Sequence, residues 1–164
     1  MRLTKVKIQL LQIKKLQKQP NSWSCLPTAF AMVLGMDASN FISKLDHDGS
    51  DIIHPDLEEP YKRRSFHIQE MIDICWLLGY TVTEIQATPT AEAQGELFVL
   101  PQAKNRLEYY LQFPAVLIGT GYTGIPHAVA WDGSLVCDPN GSSYTLDYFQ
   151  VDMLFLITKI NITN

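Results

Sequence analysis

A thiol beside an imidazole and a carboxylate can work as a thiolate nucleophile, and Cys25, His127 and Asp138 are the residues spaced to do so in this chain. Cys25 opens a stretch, Cys25 to Met36, that carries no charge. Leu26, Ala29, Phe30, Val33 and Leu34 recur there at helical spacing, and Ala31 and Met32 fill the other side, the pattern of a buried helix. Ser24 is placed as its N-cap and Gly35 as its end, and Pro27 is tolerated in the first turn. A thiol at that position meets the unpaired N–H groups and positive dipole of the helix start, which favour the thiolate. The competing reading of Cys25 is a small core residue, the commoner fate of a free cysteine.

His127 to Trp131 and Ser134 to Asp138 flank Asp132-Gly133, a strong hairpin signal. With a two-residue loop, Trp131 faces Ser134 and the register puts His127 opposite Asp138. Opposed residues have Cβ atoms about 4.5–5.5 Å apart on one face, close enough for the carboxylate to orient the imidazole and stabilise its charged form. Cys137 then faces Ala128 on the other side. A one-residue bulge shifts the pairing and makes Asn140 the alternative orienter. A structural histidine beside an ordinary aspartate is the plainer reading of the pair. Gln19, six residues before Cys25, can donate its amide to an oxyanion together with the Cys25 N–H. An ordinary exposed glutamine is its plainer reading, and Gln17 is a neighbour that could be taken for it. Cys75 falls on the apolar face of a helix and reads as core. His47, His54 and His67 lie in or near a polar loop and read as surface.

The elements that must position these residues follow from pattern. Val6, Ile8 and Leu10 alternate with polar residues as a half-buried strand. Asp46 to Arg64 reads as a long loop. Ser65 caps a helix with Ile68, Met71, Ile72 and Cys75 on one face and Gly79 after its end. Thr81 to Ile85 and Leu97 to Leu100 read as strands, and Leu107, Tyr110 and Leu111 mark a short helix. Ala115 to Gly119 and Leu154 to Ile160 complete the strands. Helices dominate the first half and strands the second, an α+β pattern.

Composition narrows the class. The 164 residues suit one domain over 1–164, and 46% hydrophobic content supplies a core. A net charge of −4 argues against a nucleic-acid partner. The clusters Lys14, Lys15, Lys18 and Lys62, Arg63, Arg64 read as solvated surface. No run reaches the roughly 18 apolar residues of a membrane span, and Met1 to Gln19 lacks the apolar core of a signal peptide. Three cysteines without paired spacing give no disulfide framework and point to a reducing, cytoplasmic setting. No CxxC or HxxxH pair supports a metal site, and no cofactor is expected.

Taken in order, these motifs resemble the papain-like cysteine peptidases, and among them the bacteriocin-processing (double-glycine-leader) peptidase family and its free-standing relatives. Gln19, five residues, then Ser24-Cys25-Leu26-Pro27-Thr28-Ala29 is similar to the nucleophile segment. Leu78-Gly79-Tyr80 resembles the close of the middle helix, and Pro114-Ala115-Val116-Leu117-Ile118 the strand before the histidine. His127-Ala128-Val129-Ala130-Trp131-Asp132-Gly133 and Cys137-Asp138-Pro139 resemble the His and Asp strands. The likeness runs from Gln19 to about Phe155. It implies a papain-like fold in which a nucleophile-bearing helix packs on a C-terminal antiparallel sheet. It also implies Cys25 as nucleophile, His127 as base, Asp138 as orienter and Gln19 as oxyanion donor, acting on a peptide or protein substrate. Two features depart from the family. Leu26 stands where the family has glycine, which is expected to narrow the site or alter which substrates enter, and no transporter segment is present. Double-glycine specificity is therefore not carried over. The Cys-Gly-Ser or Cys-Gly-Ala signature of true papain relatives is also lacking. A same-fold amidase or acyltransferase, and an inactive papain-like binding module, are the alternatives.

Overall fold

The computed structural model describes residues 11–51, 56, 65–87 and 103–160. The expected strand at Val6 to Leu10, the strand at Leu97 to Leu100, His54 and much of the 46–64 loop lie outside those residues. Helix α1 (Cys25–Leu34) is buried from Leu26 to Leu34, as its charge-free sequence requires. Gly35 ends it in the left-handed region at φ +67°, where a side chain would be strained. Gly35 N–H donates to the Met32 carbonyl (3.1 Å) and Met36 N–H to that of Ala31 (2.9 Å), so the orphan carbonyls are satisfied in a Schellman arrangement.

Helix α2 (Ala38–Ile42) was not evident from periodicity, because five residues are too few to show one. It starts where the Asp37 carboxylate accepts from Ser39 N–H (3.0 Å) and Asn40 N–H (3.3 Å). It buries Phe41 against Phe30, ring centroids 6.4 Å apart. Helix α3 (Ile68–Leu77) buries Met71, Ile74 and Cys75. Its cap is His67 and not Ser65, because Glu70 reaches back to accept from the His67 N–H at 2.7 Å. Gly79 follows its end at φ +82°.

The strands are β1 (Tyr80–Gln86), β2 (Ala115–Gly121), β3 (Pro126–Trp131), β4 (Val136–Cys137), β5 (Ser143–Tyr144) and β6 (Phe149–Lys159). Helix α4 (Ala103–Tyr110) precedes β2, and a single 3-10 turn (Leu146–Tyr148) precedes β6. The sheet order is β1-β6-β2-β3-β4-β5, with every neighbouring pair antiparallel. Both faces are covered. Val116, Ala128, Ala130 and Phe155 join α1, α2 and α3 in one core. Ala115, Leu117, Val129, Trp131 and Leu154 form a second core with Leu107 and Tyr110 of α4. The period-2 alternation of β2 and β3 thus divides their side chains between two cores.

The β3–β4 hairpin departs from the sequence expectation. Ala130 pairs with Cys137 and Trp131 with Val136, so the loop holds four residues, Asp132 to Leu135, and not two. The Asp132 carboxylate is the reason: one of its oxygens accepts from Ser134 N–H (2.8 Å) and Leu135 N–H (2.7 Å), closing an Asx-type turn. Direct opposition of His127 and Asp138, and of Ala128 and Cys137, is therefore corrected. A shift of two residues keeps every side chain on its expected face, however, because the strand period is two.

Candidate active site

Helix α1 packs across β2 and β3 on the first face of the sheet. That brings its first residue, the half-buried Cys25, to the end of β3 where His127 lies. Ser24 occupies the N-cap without a capping side-chain bond; its hydroxyl turns instead to the side-chain oxygen of Asn21. Asn21 also accepts from Trp23 N–H at 3.2 Å, so the loop entering α1 is held by its own polar groups. The Cys25 thiol feels the His127 imidazole most among its polar neighbours, followed by the backbone of Ala128 and Leu26.

His127 donates from Nε2 to Asp138 Oδ1 at 2.9 Å, which leaves Nδ1 as the nitrogen for the thiol. Asp138 is 4% exposed, and a buried carboxylate needs its lone pairs satisfied. Its Oδ1 also accepts from Asn140 N–H (2.8 Å), and its Oδ2 accepts from the Tyr144 hydroxyl (2.7 Å). The chain reverses just after it, with Gly141 at φ +96° and Gly141 N–H on the Asp138 carbonyl at 2.9 Å. That reversal starts β5 and returns Tyr144 to the carboxylate. Asn140, the alternative orienter, is exposed, and its side-chain oxygen is taken by Ser142 N–H (2.8 Å) and Oγ (2.6 Å). Asp138 is thus the side chain brought to His127, across a diagonal of the hairpin.

The protonation of the three groups is coupled. Burial pushes the Cys25 thiol up, but the hydrogen bond and charge of His127, with the Ala128 and Leu26 backbone, outweigh it and lower the thiol below its ordinary value. Burial lowers His127, but the Asp138 and Cys25 hydrogen bonds and charges prevail and raise it to about 9. Burial raises Asp138, and the bonds from His127, Asn140 N–H and Tyr144 hold it below the usual carboxylate range. The direction of each shift favours a thiolate–imidazolium pair next to a fixed anion.

Gln19 lies on the approach to α1 and lines a cleft of about 470 Å³ together with His127 and Asp138. Its backbone N–H donates to the Pro139 carbonyl at 2.7 Å, tying it to the loop that carries Asp138. Its side-chain oxygen is buried without a protein partner. Gln17 is separated from this role. Its amide nitrogen donates to the Met36 carbonyl (2.6 Å) and its amide oxygen accepts from Ala38 N–H (2.8 Å), so both ends are spent joining α1 to α2. Leu26 does not narrow the cleft: its side chain is buried in the first core and is absent from the lining.

The other candidates fall elsewhere. Cys75 is fully buried in α3, and burial pushes its thiol up to about 12. Cys137 is buried in β4 and raised by burial and by Asp132. His47 is not a free surface residue: its Nε2 meets Glu70 Oε1 at 2.6 Å and its Nδ1 accepts from Gly49 N–H at 3.0 Å. It stacks on Phe66 as well, at 5.1 Å. Among the described residues, no three His, Cys, Asp or Glu side chains are arranged to hold a metal ion, and no helix is long and apolar enough to cross a membrane. Sequence reasoning missed Tyr144. No spacing signal marks it, because it reaches Asp138 only through the turn at Gly141.

No protein-family model and no curated protein matches the sequence. Among solved structures, the chain is similar to the peptidase domain of Streptococcus ComA, a bi-functional ABC transporter involved in a quorum-sensing pathway. The likeness covers 88% of this chain and 98% of that one, with a TM-score of 0.54 and 13% sequence identity. The chain therefore has the α+β fold of a papain-like peptidase domain.

Proposed function

We propose that the protein is a cysteine peptidase, a single domain that hydrolyses a peptide or isopeptide bond with Cys25, His127, Asp138 and Gln19. The observation that carries this reading is the His127 imidazole hydrogen-bonded to the buried Asp138 carboxylate on a late hairpin, with the half-buried Cys25 at the head of the first helix lowered by that imidazole. The opposed shifts of Cys25 and His127 support it, and so does a fold shared with a domain described as a peptidase.

The Cys25 thiolate attacks the carbonyl carbon and forms a tetrahedral oxyanion. The Gln19 amide and the Cys25 N–H donate to that oxygen as its charge develops. The tetrahedral adduct collapses, the C–N bond breaks, and the His127 imidazolium protonates the leaving amine. His127, now neutral, takes a proton from water, which attacks the thioester and releases Cys25. Asp138 holds the ring in the tautomer and orientation that both steps need. The test is product analysis on a peptide pool with and without a primary amine. Free carboxylate ends in both conditions support a hydrolase, and predominant amide products with the added amine overturn it in favour of a transferase. The same assay with Cys25→Ala should give no product.

A further inference from the structure

The wall of the cleft beside His127 is apolar and aromatic. Tyr122 and Ile125, on the β2–β3 hairpin, are 91% and 65% exposed, and Tyr148, on the 3-10 turn, is 60% exposed. All three line the same cleft as His127, Gln19 and Tyr144. Large side chains this exposed are ordinary when scattered, but these three come from two separate segments and converge on one 470 Å³ space. That volume lies in the usual range for ligand sites. No lysine, arginine or glutamate lines it, and the one aspartate, Asp138, has its two oxygens engaged by His127, Asn140 and Tyr144.

The position of the cleft identifies which part of a substrate enters it. Cys25 is not among its lining residues, whereas His127 is. The group that must lie against His127 is the leaving amine, which the imidazolium protonates. Resting on the peptidase reading above, we infer that this cleft is a leaving-group subsite, taking apolar or aromatic side chains from the residues that follow the scissile bond. A charged side chain there would lose hydration, and the two charged groups of the lining, the His127 imidazolium and the Asp138 carboxylate, are already bonded to each other.

Product-type dipeptide amides test this without any need for turnover. Phe-Leu-amide and Glu-Ser-amide are titrated into the Cys25→Ala protein, and binding is followed by amide chemical shifts. Phe-Leu-amide should bind at least about tenfold tighter, with the largest shifts in residues 121–127 and 144–148. Tyr122→Ala and Tyr148→Ala should each remove most of that preference, and Trp76→Ala, an exposed aromatic on α3 outside the cleft, should leave it unchanged. Equal affinity for the two amides, or a preference that survives both tyrosine changes, overturns the subsite. The parent reading is checked separately by Cys25 alkylation. An activated Cys25 with no apolar preference leaves the peptidase standing and removes the subsite, whereas an ordinary Cys25 removes both.

Discussion

At the scale of single residues, the proposed chemistry turns on a proton shared between the Cys25 sulfur and a His127 nitrogen. The thiolate–imidazolium pair forms as pH rises through the lowered Cys25 value, and it is lost as pH rises through the His127 value of about 9. Hydrolysis should therefore rise on an acid limb below the ordinary thiol range and fall near pH 9. Asp138→Asn removes the anion that stabilises the imidazolium, so the alkaline limb should move to lower pH; a limb that stays in place contradicts the orienting role. Cys25→Ala should abolish turnover, and His127→Ala should cost at least about 10²–10⁴ in rate, with the circular dichroism of both unchanged. Asn140→Ala should be nearly silent, because its side chain faces Ser142 and not His127. Gln19→Ala should lower kcat by about 10²–10³ with little change in the denaturation midpoint. Gln17→Ala should do the reverse, destabilising by about 1–3 kcal/mol through two unsatisfied backbone groups while Cys25 reactivity holds. A rate loss in Gln17→Ala with stability intact would show that the two glutamines have been assigned the wrong way round.

At the scale of elements, the site depends on where β3 begins and how β2 supports it. Gly119 pairs with His127 across β2 and β3, and the β2–β6 register slips between Ile118 and Gly119. A Cβ at Gly119 would lie 1.9 Å from the Gln150 carbonyl oxygen, and that oxygen belongs to backbone and cannot turn away. Gly119→Ala should therefore cost about 1–3 kcal/mol in urea unfolding and also reduce Cys25 reactivity, since the strand bearing His127 must move with its partner. Stability loss without that reactivity loss would separate the bulge from the site. The elements also show what was legible in sequence. Helix α1 was plain because ten residues with no charge leave no second interpretation, and Gly35 punctuated its end. The hairpin was found but its register was not, because the Asp132 side chain closes a four-residue loop that a dipeptide signal cannot anticipate. Asp138 still met His127, since an even slip preserves the face and a diagonal pair remains within reach of long side chains. Helix α2 and the Tyr144 contact were illegible for a different reason: each depends on a short segment fixed by tertiary neighbours.

At the scale of the molecule, Cys25 and His127, the proposed nucleophile and base, lie far apart in sequence and meet only because α1 packs on the sheet. On the proposed reading, activation of Cys25 is thus a property of the intact fold. In rising urea at pH 6, its alkylation should slow with the same midpoint at which buried Cys75 becomes reactive; separate midpoints would mean that Cys25 is activated locally, without His127. A thiolate at Cys25 shows itself in native protein through the rate of iodoacetamide alkylation at each cysteine from pH 4 to 9, resolved by peptide mass spectrometry. Modification should be selective for Cys25 well below the free thiol value of about 8.5, with Cys75 and Cys137 protected by burial. Slow modification of Cys25 with an ordinary thiol profile would contradict the proposed thiolate.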